Sequence, residues 1–152
     1  MSRQWFETAR GADPAAIGKL IRFDPTLLDE VDSHGRTALH IVAALGRADA
    51  VPAAKVLIAA GTPVDIADPE GHTPLWHALT HGREREMVLF LLEVGAATDG
   101  CVHPAVDLGD AAVLQELIDC GADLSETLNG ETAQQYADRT GRADLAALLA
   151  AG

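Results

Sequence analysis

One stretch of this chain repeats itself. Asp32 to Gly46 reads DSHGRTALHIVAALG, and Asp68 to Gly82 reads DPEGHTPLWHALTHG, the same Asp, Gly, Thr, Leu and closing Gly at an offset of 36 residues. A weaker third copy, NGETAQQYADRTG, runs from Asn129 to Gly141. A second motif follows each copy of the first or stands in its place: VLIAAGTPVDI from Val56, FLLEVGAATD from Phe90 and ELIDCGADL from Glu116. Repetition at a period of 30 to 40 residues constrains the fold more than any other signal. One such unit cannot bury its own apolar face, so the copies must stack on each other.

Elementary rules assign each part of the unit. Asp-x-x-Gly is a turn in which Asp bonds its own backbone and Gly takes the positive φ. Thr37 and Thr73 stand where a helix begins and can cap its free N–H groups. Pro74 falls in the first helical turn, where a missing N–H costs nothing. The small residues Ala43, Ala78 and Ala137 permit close helix packing. Gly61, Gly95 and Gly121 are expected to end second helices in the left-handed conformation. Composition agrees: 48% of residues are apolar but only 4% aromatic, which suits thin helices packed closely on one another.

The motif resembles the ankyrin repeat, D-x-x-G-x-T-P-L-H-x-A-A-x-x-G followed by a second helix ending L-L-x-x-G-A-D. The resemblance covers nearly the whole chain. It implies an all-α ankyrin-repeat solenoid of about five stacked helix-turn-helix units with short turn fingers. As a single domain over residues 1–152, the units are expected at about 2–30, 31–66, 67–98, 99–124 and 125–152. The second carries about three extra residues near Ala48 to Pro52, and the third is the most regular. The fourth is truncated. Gly61 to Trp76 is 15 residues, but Gly95 to the matching His103 is 8, and the missing seven are the turn finger itself.

The resemblance also implies a function: a non-enzymatic module, an adaptor or scaffold, that binds another protein in the concave groove made by the fingers and first helices. The positions it points to are Ser33, His34, Arg36, Pro69, Glu70 and His72 on the fingers. Ala44, Leu45, His77, Thr80 and His81 are added from the first helices. His40 and His103 match the family histidine, whose ring bonds the backbone of the adjoining turn. Trp76 replaces it in the third unit, so the bonding there must differ. Past residue 98 the groove is expected to be flatter or open.

Searching for chemistry returns little. His77 and His81 are four apart on one helix, a zinc-chelating spacing, and Cys101 and His103 could complete a site. The Glu of H-E-x-x-H is missing, however, since Ala78 follows His77. The two histidines are expected to be exposed groove residues, with no metal and no cofactor. No G-x-S-x-G, P-loop or G-x-G-x-x-G is present, and no enzyme is expected.

Net charge is −12, with 23 acidic residues against 11 Lys and Arg. Such a field repels phosphate backbones, so nucleic acid is not the expected partner and a basic protein is a candidate. The acidity is concentrated: residues 96–152 hold 10 acids and 2 bases, residues 1–95 hold 13 and 9. It leaves room for a second function, an inhibitor or immunity protein neutralising a basic toxin or enzyme. Two cysteines are too few for a disulfide scaffold, and no signal peptide or run of about 18 apolar residues is present. A cytoplasmic monomer away from membranes is the expectation.

Overall fold

A computed structural model of the protein describes residues 2–152; Met1, the first residue of the expected domain, lies outside them. The described residues form five helix pairs: α1 (Ser2–Gly11) with α2 (Pro14–Phe23), α3 (Ala38–Ala43) with α4 (Val51–Ala59), α5 (Pro74–His77) with α6 (Arg85–Glu93), α7 (Val102–Leu108) with α8 (Ala111–Asp119), and α9 (Ala133–Arg139) with α10 (Ala143–Ala151). First helices stack in the order α1, α3, α5, α7, α9, and second helices in the order α2, α4, α6, α8, α10. The core lies between the two layers. Leu39, Leu57, Leu75, Leu79, Leu91, Leu114 and Leu117 within it have no exposed surface.

Local sequence explains the helix ends. Asp13 and Asp110 cap α2 and α8 by accepting two backbone N–H groups each. Thr73 Oγ1 accepts from the N–H of Trp76 at the start of α5, and Thr132 forms a reciprocal capping box with Gln135 at the start of α9. Second helices close on Gly61, Gly95 and Gly121, at φ of 113°, 91° and 86°. The extra residues of the second unit form a 3-10 turn, Ala48–Ala50, ahead of α4. No helix among the described residues is long and apolar enough to cross a membrane.

The third unit is the least regular in its first helix, which corrects the expectation from sequence. After His77 the backbone widens into a π-turn over Ala78–Gly82, and Arg83 closes it at φ 54°. Gly46 and Gly82 pack backbone to backbone here. A Cβ on Gly46 would sit 2.6 Å from the Gly82 carbonyl oxygen, and one on Gly82 would sit 2.6 Å from that of Ala43. The widened turn therefore ends in a contact that only glycines permit.

Candidate functional site: the fingers and the gap between them

The two fingers before α3 and α5 are built alike. In each, Asp N–H bonds the carbonyl four residues on, and Gly N–H returns to the Asp carbonyl (Asp32 with Arg36 and Gly35; Asp68 with His72 and Gly71), all at 2.9 Å. The Asp carboxylates then take further N–H groups: Asp32 from His34 and Arg36, Asp68 from Glu70 and His72. The fingers also stack on each other, since a Cβ on Gly35 would collide with the Pro69 ring.

A histidine ties the finger before α5, and another the turn before α9, to the first helix of the preceding unit. His40 Nδ1 accepts from the N–H of Thr37 at 3.2 Å, and its Nε2–H donates to the His72 carbonyl of the next finger at 3.1 Å. His103 donates likewise to the Glu131 carbonyl at 2.8 Å. The finger it meets is a two-residue hairpin joining β1 (Thr127–Leu128) and β2 (Glu131–Thr132). Asn129 and Gly130 both have positive φ there, as a type I′ turn requires.

Between these lies the truncated unit. Its turn, residues 97–101, makes no finger. Instead Asp65 accepts from the N–H of Ala97 at 2.7 Å, and Glu126 accepts from that of Gly100 at 3.1 Å. With no carbonyl to meet, a histidine at position 76 would have nothing to bond. Trp76 stands there, stacked face to face on His72 with ring centres 3.5 Å apart. The truncation leaves a cavity of about 380 Å³, lined by that stack and, across it, by Pro104, Asp107, Glu126, Leu128 and Tyr136.

Of the positions named from sequence, Ser33, His34, Pro69, Glu70 and His81 are exposed. Ala44, Leu45, His72 and Thr80 are half-buried, and the Thr80 hydroxyl is spent on the Trp76 carbonyl. Arg36 is bound into its own finger by two guanidinium bonds to Asp32, so it braces the turn. His77 is not an exposed groove residue. It is 4% exposed, and its Nε2 lies 2.8 Å from Asp68 Oδ2. The finger folds back over the helix and covers it.

Burial shapes the charges in this cluster. His40 and His77 are both pushed below the ordinary histidine value, chiefly by desolvation; the His72 carbonyl opposes this most at His40, and the Asp68 carboxylate at His77. Burial alone would raise Asp68. The N–H groups of His72 and Glu70 and the His77 ring outweigh it and hold the carboxyl below its usual value. His77 Nδ1 has no partner among the described residues. Asp68, His72 and His77 bring one potential ligand atom each within 4.8 Å of the others. A cation held on His77 Nε2 would displace its bond to Asp68 and put an N–H on the unpartnered Nδ1, where a ligating histidine normally needs an acceptor. The thiol of Cys101, buried beside the short turn, is pushed up to about 12 by desolvation and by Glu126, Asp99 and Asp65. It is a core thiol, not a nucleophile.

Sequence reasoning missed Tyr136, Leu128, Pro104 and Asp107. The signal for them was indirect: the seven missing residues that open the space they line.

A family model described as ankyrin repeats (3 copies) matches residues 6–99, so the match stops at the truncated turn. Among curated proteins, the chain is 29% identical over 144 residues to neurogenic locus notch homolog protein 1 of Mus musculus and to that of Cricetulus griseus. It is 28% identical over 144 residues to that of Homo sapiens. Each alignment covers 90% of this chain but only 6% of the relative's length.

Proposed function

The chain belongs to the ankyrin-repeat family, and we propose from that premise that it is a non-enzymatic adaptor or scaffold that holds another protein on its finger side. Ankyrin repeats are generally protein–protein interaction modules. One observation carries the assignment to this face. Ser33, His34, Pro69 and Glu70 stand exposed on braced turns, with His81 exposed on the π-turn after α5, while the groups that brace the fingers, Asp32, Arg36 and Asp68, are withdrawn into them. Side chains held still cost less entropy to bind than side chains on mobile loops.

The test uses the whole chain as bait in extract from its native source. Replacing His34, Glu70 and His81 together by Ala should remove the bound proteins without changing helix content. Replacing Lys19 and Lys55, exposed on the second-helix layer, should leave them bound. Capture unaffected by the finger substitutions would overturn the assignment.

The second reading, an inhibitor or immunity protein for a basic toxin or enzyme, is favoured by the charge. In residues 96–152, only Asp107, Asp110 and Glu131 are ion-paired among the described residues. Asp99, Glu116, Asp119, Asp123, Glu126, Asp138 and Asp144 are left to act on a basic partner at a distance. A single basic enzyme captured, and silenced by binding, selects this reading. Several unrelated partners select the adaptor.

A further inference from the structure

We propose that the cavity left by the missing fourth finger is a socket for one arginine side chain of the bound partner. The proposal rests on the reading of the finger side as the protein-binding surface, and adds to it the chemistry of one anchoring contact.

Three observations converge on that occupant. The walls are apolar and aromatic: Trp76 in its stack with His72 on one side, Pro104, Leu128 and Tyr136 on the other. Leu128 is 56% exposed, a large apolar side chain left uncovered on the hairpin beside the opening. Such walls suit the methylene stem of a long side chain, and the indole ring suits a cation near it. Beside the hydroxyls of Thr80, Thr127 and Tyr136 and the imidazoles of His72 and His103, the cavity is lined by two carboxylates, Asp107 and Glu126, and by no Lys or Arg. The Asp107 side chain is 57% exposed, with one oxygen accepting from the Tyr136 hydroxyl at 3.0 Å and the other in a long 3.4 Å contact with Arg83. Glu126 is half-buried and accepts from the N–H of Gly100. Each carboxylate oxygen can take a second donor, so both have capacity left. The arginines that reach Asp107, namely Arg83 and Arg142, do not line the cavity.

A volume of about 380 Å³ lies near the small end of ligand pockets, which run from about 300 to 1,000 Å³. It fits a side chain better than a folded element. A planar guanidinium can stack on a ring and fork its donors toward two carboxylates, which an ammonium cannot do. An anion would meet Asp107 and Glu126, and a purely apolar side chain would desolvate them without return.

The test titrates the ¹⁵N-labelled chain with N-acetyl-arginine methylamide and with its neutral isostere, N-acetyl-citrulline methylamide. Arginine should give saturable shifts at the Trp76 indole N–H and at the backbone N–H groups of Gly100 and Leu128. Citrulline should bind about tenfold more weakly, as expected when a charge-assisted bond is lost. The double variant Asp107→Asn, Glu126→Gln should lower the arginine affinity by about the same factor. Both replacements can still accept from Tyr136 and Gly100, so the walls stay in place. Equal affinity for citrulline, shifts confined to other surfaces, or no saturable shift would overturn the socket. The finger variants above fail or succeed independently. Capture lost through His34, Glu70 and His81 with Trp76 silent to arginine would overturn the socket alone. Arginine seated at Trp76 with capture indifferent to the fingers would support the socket and overturn only the finger-side assignment.

Discussion

The finger before α5 and the short turn before α7 occupy the same place in their units and are held by opposite means. The finger is held mainly from within: Asp68 gathers the N–H groups of Glu70 and His72, and His77 beneath it, and His40 adds one bond from the unit before. The short turn is held from outside, by Asp65 from the loop before it and Glu126 from the loop after it. The difference teaches that finger and histidine come as a pair. Where the next finger exists, His40 and His103 reach its carbonyl. Where it does not, Trp76 fills the space, and a cavity opens beside it.

Removing the internal brace should have the largest effect. Asp68→Ala strips two backbone N–H groups of their acceptor and leaves the buried His77 ring unpaired. A loss of about 3 kcal/mol is expected, since an unpaired buried donor costs its full desolvation. Asp32→Ala should cost less, because the group it releases is an Arg36 guanidinium that is 28% exposed and can turn to water. Urea unfolding of both variants decides; equal losses would break the contrast between a buried and a surface brace.

Trp76→His restores the residue the family pattern has at this place and comes next, at about 2 kcal/mol of destabilisation from lost apolar contact and stacking. The new imidazole would find no finger carbonyl. An unchanged denaturant midpoint would mean that finger and histidine are not coupled.

Acid should loosen the finger side first. His40 and His77 lie below 6.5 in the folded chain, so the unfolded chain binds their protons more tightly. Stability is then full above pH 6.5 and declines as pH falls from there toward the folded values. Asp68, also held low, keeps its contribution until pH drops below 3.8 and through its folded value. Urea midpoints between pH 8 and pH 4 should therefore begin to fall near 6.5, and His40→Gln should lessen the first decline. A midpoint flat down to pH 5 would contradict it.

The smallest effect sharpens the comparison by leaving it untouched. Gly95 and Gly121 end the second helices of the third unit and of the truncated fourth, with open space where a Cβ would stand on either. Ala at either should cost about 1 kcal/mol from backbone strain alone. Unequal denaturant shifts would show that the gap reaches the second layer as well.

What the sequence determined by itself was most of what neighbours along the chain carry. The period of the repeat, the helix start at Thr73, the left-handed glycines and the absent finger all follow from residues a few positions apart, whose bonding is settled locally. Two local features escaped: the π-turn ending at Arg83, and the bracing of Arg36 by Asp32. Only the tertiary structure decided the rest. His77 read as a groove residue because helix periodicity does not say what lies above a helix; its burial depends on the finger folding back across nine residues. The cavity depends on more still. His72, Trp76, Pro104, Leu128 and Tyr136 come from three successive units, and no short-range rule places them around one space. Stacking does that, because each unit can bury its apolar face only against the next, and the register of that packing brings side chains some 60 residues apart to opposite walls of one opening.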